Sequence, residues 1–237
     1  MKILLTGGCS FTASDDCWPR HLKDILNVKL LNVGMVSQGN GLISRTVIYN
    51  IDKLLNEYKP EEILVGVMWS GIDRYDYYTY STENTSNWGN FKPENNVQIP
   101  TNIIEGNYNW QIINPHWNSN EVKMYYEYFH TSIFATIMTI EHILRVQWYL
   151  EKLNIRYFMS TYMDLYDSNL INHPEISYLY KQIDFSKFLP VKGCYEWVEE
   201  NFGDREFYIN HPTQFAHKQF VNKVIVPFIK EKIIRLI

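Results

Sequence analysis

No stretch of this 237-residue sequence approaches the roughly 18 consecutive apolar residues that a membrane span requires. Met1 to Leu5 is likewise too short for the apolar region of a signal peptide, so the sequence predicts a soluble, cytoplasmic protein. Cysteine is scarce. Cys9, Cys17 and Cys194 are odd in number and lack C-x-x-C spacing, which points to reduced thiols rather than a disulfide framework or a zinc site. An excess of one charge is missing too: 22 Lys and Arg stand against 26 Asp and Glu, a net charge of -4. Such a balance supplies no broad attraction for a polyanion, so neither a nucleic-acid partner nor membrane insertion is expected. H-E-x-x-H, G-x-G-x-x-G and Walker patterns are all lacking, and no metal or cofactor is expected.

Hydrophobic residues at 46% and charged residues at 20% are ordinary globular usage, and the length suits one domain over residues 1–237. Aromatic residues reach 16%, with 18 Tyr and 7 Trp, and concentrate between about residues 75 and 128. Rings with a polar handle suit recognition surfaces, including sugar faces, and they equally suit core packing in a loop-rich insertion.

Lys2 to Thr6 is a short apolar run ended by two glycines, as expected of a buried parallel strand. Trp18, Leu22, Ile25 and Leu26 predict a helix over about 18–27, with Pro19 tolerated in its first turn, and Lys29 to Val33 predicts a second strand. Leu42, Ile43, Val47, Ile51, Leu54 and Leu55 form an amphipathic stripe over 41–58 that stops before Pro60. Ile63 to Trp69 reads as the third strand. Between Arg74 and about Tyr128 periodicity fails, which predicts a long irregular insertion. Phe129 to Trp148 restores helical spacing over about 129–153, Ile155 to Ser160 reads as a fourth strand, and short helical pieces are expected at 174–183 and 193–201. The last helix carries Phe220, Val224, Phe228 and Ile233, with a bend expected at Pro227. Strands alternating with helices predict an α/β fold, a parallel sheet covered on both faces.

In open parallel sheets ligands bind beyond the carboxyl ends of the strands, so the residues there carry the chemistry. After the first strand comes Gly8-Cys9-Ser10-Phe11-Thr12, where glycines permit a tight turn that lifts a serine hydroxyl above the sheet edge. After the second comes Asn32 to Gly41, a Gly/Asn/Ser-rich loop entering a helix, whose N–H groups suit developing negative charge. After the third comes Trp69-Ser70-Gly71-Ile72-Asp73-Arg74. Before the last helix comes His211-Pro212, and a histidine on a distant loop is the usual base for a serine nucleophile.

These blocks, in this order, resemble the SGNH/GDSL hydrolase family, a three-layer α/β/α, flavodoxin-like fold that cleaves esters, often acyl or acetyl groups on carbohydrates or lipids. The resemblance implies Ser10 as nucleophile, His211 as base, and the backbone N–H of Ser10 and of Ser37 or Gly39 as oxyanion donors. The family's donor asparagine of the third block is missing; Asn40, Ser70 or Arg74 is the candidate replacement. The aspartate three residues before the histidine is missing as well, which leaves Asp204, Asn210 or a backbone carbonyl as orienter. What is implied is a serine esterase acting on acyl or O-acetyl esters, its substrate a small-molecule or glycan ester; the alternatives are a degenerate binding module on the same fold and an acyltransferase. Cys9 reads as a packing residue, and His217, six residues past His211, as structural. Asp73 and Arg74 form either a surface ion pair or part of the site. Asp76, Asp164 and Asp167 read as loop residues without chemistry.

Overall fold

The computed structural model describes residues 1–80, 108–116 and 118–233. Its strands are β1 (Ile3–Gly8), β2 (Lys29–Asn32), β3 (Ile63–Trp69), β4 (Tyr75–Tyr80), β5 (Tyr108–Ile113), β6 (Arg156–Thr161), β7 (Phe207–Tyr208) and β8 (His211–Pro212). Four of them form a parallel sheet in the order β2-β1-β3-β6, with Ile3 opposite both Lys29 and Ile63, and Leu64 opposite Arg156. Parallel neighbours cannot be joined by tight turns, so the chain crosses over through helices. The helices are α1 (Ser10–Ala13), α2 (Trp18–Leu26), α3 (Asn40–Leu54), α4 (Asn120–Tyr128), α5 (Ser132–Lys152), α6 (Ser168–Ile171), α7 (Pro174–Tyr180), α8 (Cys194–Phe202), α9 (Gln214–Phe220) and α10 (Val226–Phe228), of which α1 to α5 lie within the crossovers.

Alternation along the strands divides the core into two halves. Ile3, Leu5, Val65, Val67, Trp69 and Met159 face α3, α5 and α7, where Val47, Ile51, Ile140 and Leu144 meet them. Leu4, Leu64, Met68 and Phe158 face the other way, onto Trp18 and Leu22 of α2, Val198 of α8 and Phe220 of α9. The result is an α/β/α sandwich whose sheet is buried on both faces, as the continuous apolar strand sequences require. Among the described residues, no helix is long and apolar enough to cross a membrane.

The stretch expected to be irregular contains order. β4 and β5 pair antiparallel, Tyr75 opposite Ile113 and Tyr80 opposite Tyr108, because the run Tyr-Asp-Tyr-Tyr-Thr-Tyr has the aromatic and β-branched content of a strand. α4 follows, capped by Ser119, whose Oγ accepts from the Val122 amide at 3.3 Å. Much of the aromatic segment, residues 81–107 and 117, lies outside the described residues. α5 opens three residues later than expected because Thr131 caps it, accepting from Phe134 N at 3.1 Å. The last helix meets Pro227 with π-turns at Val221–Ile225 and Ile229–Ile233 on either side of α10. Proline deprives an upstream carbonyl of its donor, and the wider turn re-pairs the backbone around it.

Candidate active site

β1 delivers Ser10 to the carboxyl edge of the sheet. Gly8 makes the turn possible: a Cβ there would lie 2.8 Å from the Met68 carbonyl of the neighbouring strand. Cys9, fully buried, caps α1, and Ser10 is the first residue of that helix, half-buried with its hydroxyl at the surface. The residues after it are anchored. Trp18 Nε1 donates to Thr12 Oγ1 at 3.1 Å, Asn32 Nδ2 donates to the Thr12 carbonyl at 2.7 Å, and the Phe11 ring packs edge-on against Tyr162 at 5.1 Å.

His211 arrives from the far end of the chain on a two-residue hairpin between β7 and β8. Ile209 and Asn210, at φ 47° and 61°, make a turn with both central residues left-handed, the geometry that matches the twist of a tight hairpin. His211 Nε2 lies 2.8 Å from Ser10 Oγ, and its Nδ1 lies 2.9 Å from the Ile209 carbonyl oxygen. A carbonyl only accepts, so the proton resides on Nδ1 and the Nε2 lone pair is left to accept from the serine hydroxyl. The Phe11 ring supports the imidazole, centroids 5.2 Å apart. Asp204 sits in the exposed turn Gly203–Glu206, and His211 has no described hydrogen bond to it. Of the candidate orienters, the group facing Nδ1 is a backbone carbonyl, because the hairpin folds its own main chain back onto the ring.

The loop after β2 lies against this corner. Met35 N donates to the Gly8 carbonyl at 3.0 Å, and Ser37, half-buried, takes a left-handed φ of 62°. Among the described residues, neither the Ser37 amide nor the Ser10 amide donates to another group. Gly39 is different: its amide donates to Asp76 Oδ1 at 3.0 Å, so the expectation that it offers a free donor is corrected. Asn40 is corrected likewise. Its Oδ1 accepts from Ser70 N at 2.7 Å, while its Nδ2 donates to the Ser70 carbonyl at 3.0 Å and to Thr139 Oγ1 at 3.1 Å. Buried and fully engaged, Asn40 staples α3 to the end of β3. Ser70, fully buried, accepts on Oγ from Arg74 Nη1 at 2.8 Å. Arg74 is half-buried, with its guanidinium 5.4 Å from the centre of the Tyr162 ring. It does not pair with Asp73, whose carboxylate instead lies 3.2 Å from His130 Nε2.

Three residues without a role in the sequence reading enter here. Tyr162, directly after β6, joins Arg74 to Phe11 and so to His211; its place at a strand end was the available signal. Asp76 is no loop residue. It is buried on β4, with Oδ1 on Gly39 N and Oδ2 on Leu42 N at 2.9 Å, and burial pushes its carboxyl up to about 6 against the pull of those amides and of Arg45 and Arg74. His142 of α5 lines the same small cavity as Asp76, Arg45 and Arg74. Burial, with Arg145 and Arg45 nearby, pushes it down to about 3, so it is neutral. His217 is also buried and pushed down to about 3, by desolvation first and then by His21 and His211, which fits a structural residue. Among the described residues, no cluster of His, Cys, Asp and Glu is arranged to hold a metal ion.

A model of a family of unknown function (DUF6071) matches residues 7–236. No curated protein matches the chain. Among solved structures, the psychrotrophic esterase EstA from Pseudoalteromonas sp., inhibited by monoethylphosphonate, is similar over 98% of this chain and 98% of its own, with 11% identity and a TM-score of 0.48.

Proposed function

The chain belongs to the family of unknown function DUF6071, and from the geometry of the site we propose that it is a serine ester hydrolase. The observation that carries this reading is the 2.8 Å contact between Ser10 Oγ and His211 Nε2, made across 201 positions of sequence and backed by an acceptor on Nδ1. A buried structural serine has no need of a histidine in the tautomer that accepts its proton.

In this reading Ser10 Oγ attacks the acyl carbon of an ester while its proton passes to His211 Nε2. The imidazolium so formed is steadied by the Ile209 carbonyl and then protonates the departing alkoxide. Water, deprotonated by the same histidine, attacks the acyl-enzyme, and the bond to Ser10 breaks to release the acid. The uncommitted amides of Ser10 and Ser37 are the donors for the oxyanion, and Arg74 is the candidate for the third. The pair lies at the surface rather than in a deep pocket, as suits a short acyl or O-acetyl ester displayed on a larger carrier such as a glycan.

The test is labelling of the protein with a fluorophosphonate, together with hydrolysis of p-nitrophenyl acetate. Unaltered protein is expected to be labelled and to turn over, and Ser10→Ala to lose both by at least about a thousandfold. Turnover unchanged in Ser10→Ala would overturn the assignment.

A further inference from the structure

A helix begins with amide groups that have no partner within it, and a side chain at the cap position normally supplies one. The cap of α3 is Gly39, which has no side chain to offer. The acceptor comes instead from another element: Asp76 of β4 takes Gly39 N on Oδ1 at 3.0 Å and Leu42 N on Oδ2 at 2.9 Å. The fit is close enough to require glycine, since a Cβ on Gly39 would stand 2.6 Å from Asp76 Oδ2.

The same contact closes the loop between β2 and α3. At its entry, Val33 N donates to the Thr6 carbonyl at 2.8 Å and Met35 N to the Gly8 carbonyl at 3.0 Å. At its exit, Gly39 is held by Asp76. Between these anchors lies Ser37 at φ 62°, a conformation that a non-glycine residue keeps only when its surroundings over-determine it. We propose that Asp76 is a positioning residue for the site: by holding the start of α3 it fixes the backbone of Ser37 where that amide meets a developing oxyanion. The inference rests on the ester-hydrolase reading above.

Both carboxylate oxygens must accept, so the function needs the charged form; a proton on one of them sets an O–H donor against an N–H donor. The groups facing Asp76 are Arg45 from α3, Arg74 from the turn before β4, Tyr75 beside it, Tyr125 from α4 and His142 from α5. A Cβ on Gly41 would lie 3.2 Å from His142 Nε2 and 3.4 Å from Asp76 Oδ2, so the two side chains converge on one point. His142 is neutral there, and the two arginines alone supply positive charge. Burial nevertheless lifts the Asp76 carboxyl to about 6, so the clamp weakens in mild acid.

The experiment measures fluorophosphonate labelling of Ser10, and kcat and KM for p-nitrophenyl acetate, from about pH 4.5 to about pH 9 in the unaltered protein and in Asp76→Asn. Asp76→Asn is expected to lose about ten- to a hundredfold in labelling rate and kcat with KM within about threefold, as a misplaced donor does. Its acid limb should also be less steep than that of the unaltered protein, in which Asp76 takes up a proton in mild acid. An Asn variant with the unaltered rate and the unaltered acid limb overturns the proposal alone; unaltered protein that is never labelled overturns the hydrolase reading and the proposal with it. Should the variant fail to fold, hydrogen exchange in the unaltered protein decides. Gly39 and Leu42 amides that lose protection below about pH 6, relative to the rest of α3, support the clamp, and uniform protection across that range overturns it.

Discussion

A β-branched side chain is disfavoured at positive φ because its Cβ crowds the backbone, yet Ile209 adopts φ 47° and is 74% exposed. Burial offsets little of that cost. What holds the residue is the hairpin, which pairs Tyr208 with His211 and turns the Ile209 carbonyl onto the imidazole. Because that contact comes from the main chain, Ile209→Gly keeps it while relieving roughly 1–2 kcal/mol of strain, less about 0.5–1 kcal/mol for the greater freedom of unfolded glycine. The expected outcome is a melting temperature equal to that of the unaltered protein or a few degrees higher, at about 2–4 °C per kcal/mol, with labelling of Ser10 retained. Ile209→Pro, whose ring forbids positive φ, should lose both stability and labelling. A fall of several degrees in the glycine variant would show that the isoleucine side chain contributes packing. The same residue marks where the sequence ceases to be informative. Ser10 and His211 have side-chain signatures, glycines before one and proline after the other, whereas a carbonyl acceptor is written in no residue type and emerges only once the hairpin has closed.

At the level of elements, the start of α3 is where three parts of the fold are fastened together. Asn40 ties it to Ser70 at the end of β3 and to Thr139 on α5, and Asp76 ties it to β4. Asn40→Ala would leave the amide and carbonyl of Ser70 buried without their partner, and each such group costs about 1–3 kcal/mol. Urea unfolding should therefore show a loss of about 2–5 kcal/mol, seen as a lower midpoint with an unchanged slope. A loss under about 1 kcal/mol would mean that water replaces the amide. The helices and central strands were legible in the sequence because each buries a regular stripe: Leu42, Val47, Ile51 and Leu54 on α3, Ile63 to Trp69 on β3. The β4–β5 ladder was not, because β4 mixes tyrosine with polar residues and lacks an aliphatic face, and the alternation of β5 is short and set in a stretch rich in Asn, Tyr, Trp and Pro. Asp76 was misread for the same reason. An acidic residue among tyrosines looks solvated until the uncapped helix that needs it, 37 residues earlier, is brought alongside.

For the whole molecule, the buried ionisable groups set how stability responds to acid. His142 and His217 are held neutral, pushed from the ordinary 6.5 down to about 3, so unfolding lets each take up a proton once the pH is below about 6.5. Their contribution is present above that pH and is lost as the pH falls toward 3. Asp76 acts in the opposite sense. Its carboxyl is raised from 3.8 to about 6, so between those values the folded protein holds a proton that the unfolded chain lacks, and acid favours the fold by that one group. Between about pH 6 and about pH 4.5 the unfolded chain therefore gains two protons against one in the native state, and stability should fall by about 1.4 kcal/mol per pH unit. Exposed carboxylates such as Asp24, Glu62 and Glu121 are lowered by their partners, which moves their titration below this window, and solvent screening keeps their share small. Urea midpoints measured across the window distinguish the contributors. His217→Gln removes one of the two histidine protons and should flatten the dependence. Asp76→Asn removes the opposing proton and should double it to about 2.7 kcal/mol per pH unit. A slope in His217→Gln equal to that of the unaltered protein would mean that His217 is already charged in the folded state, and an unchanged slope in Asp76→Asn would mean that the Asp76 carboxyl is not raised by its burial.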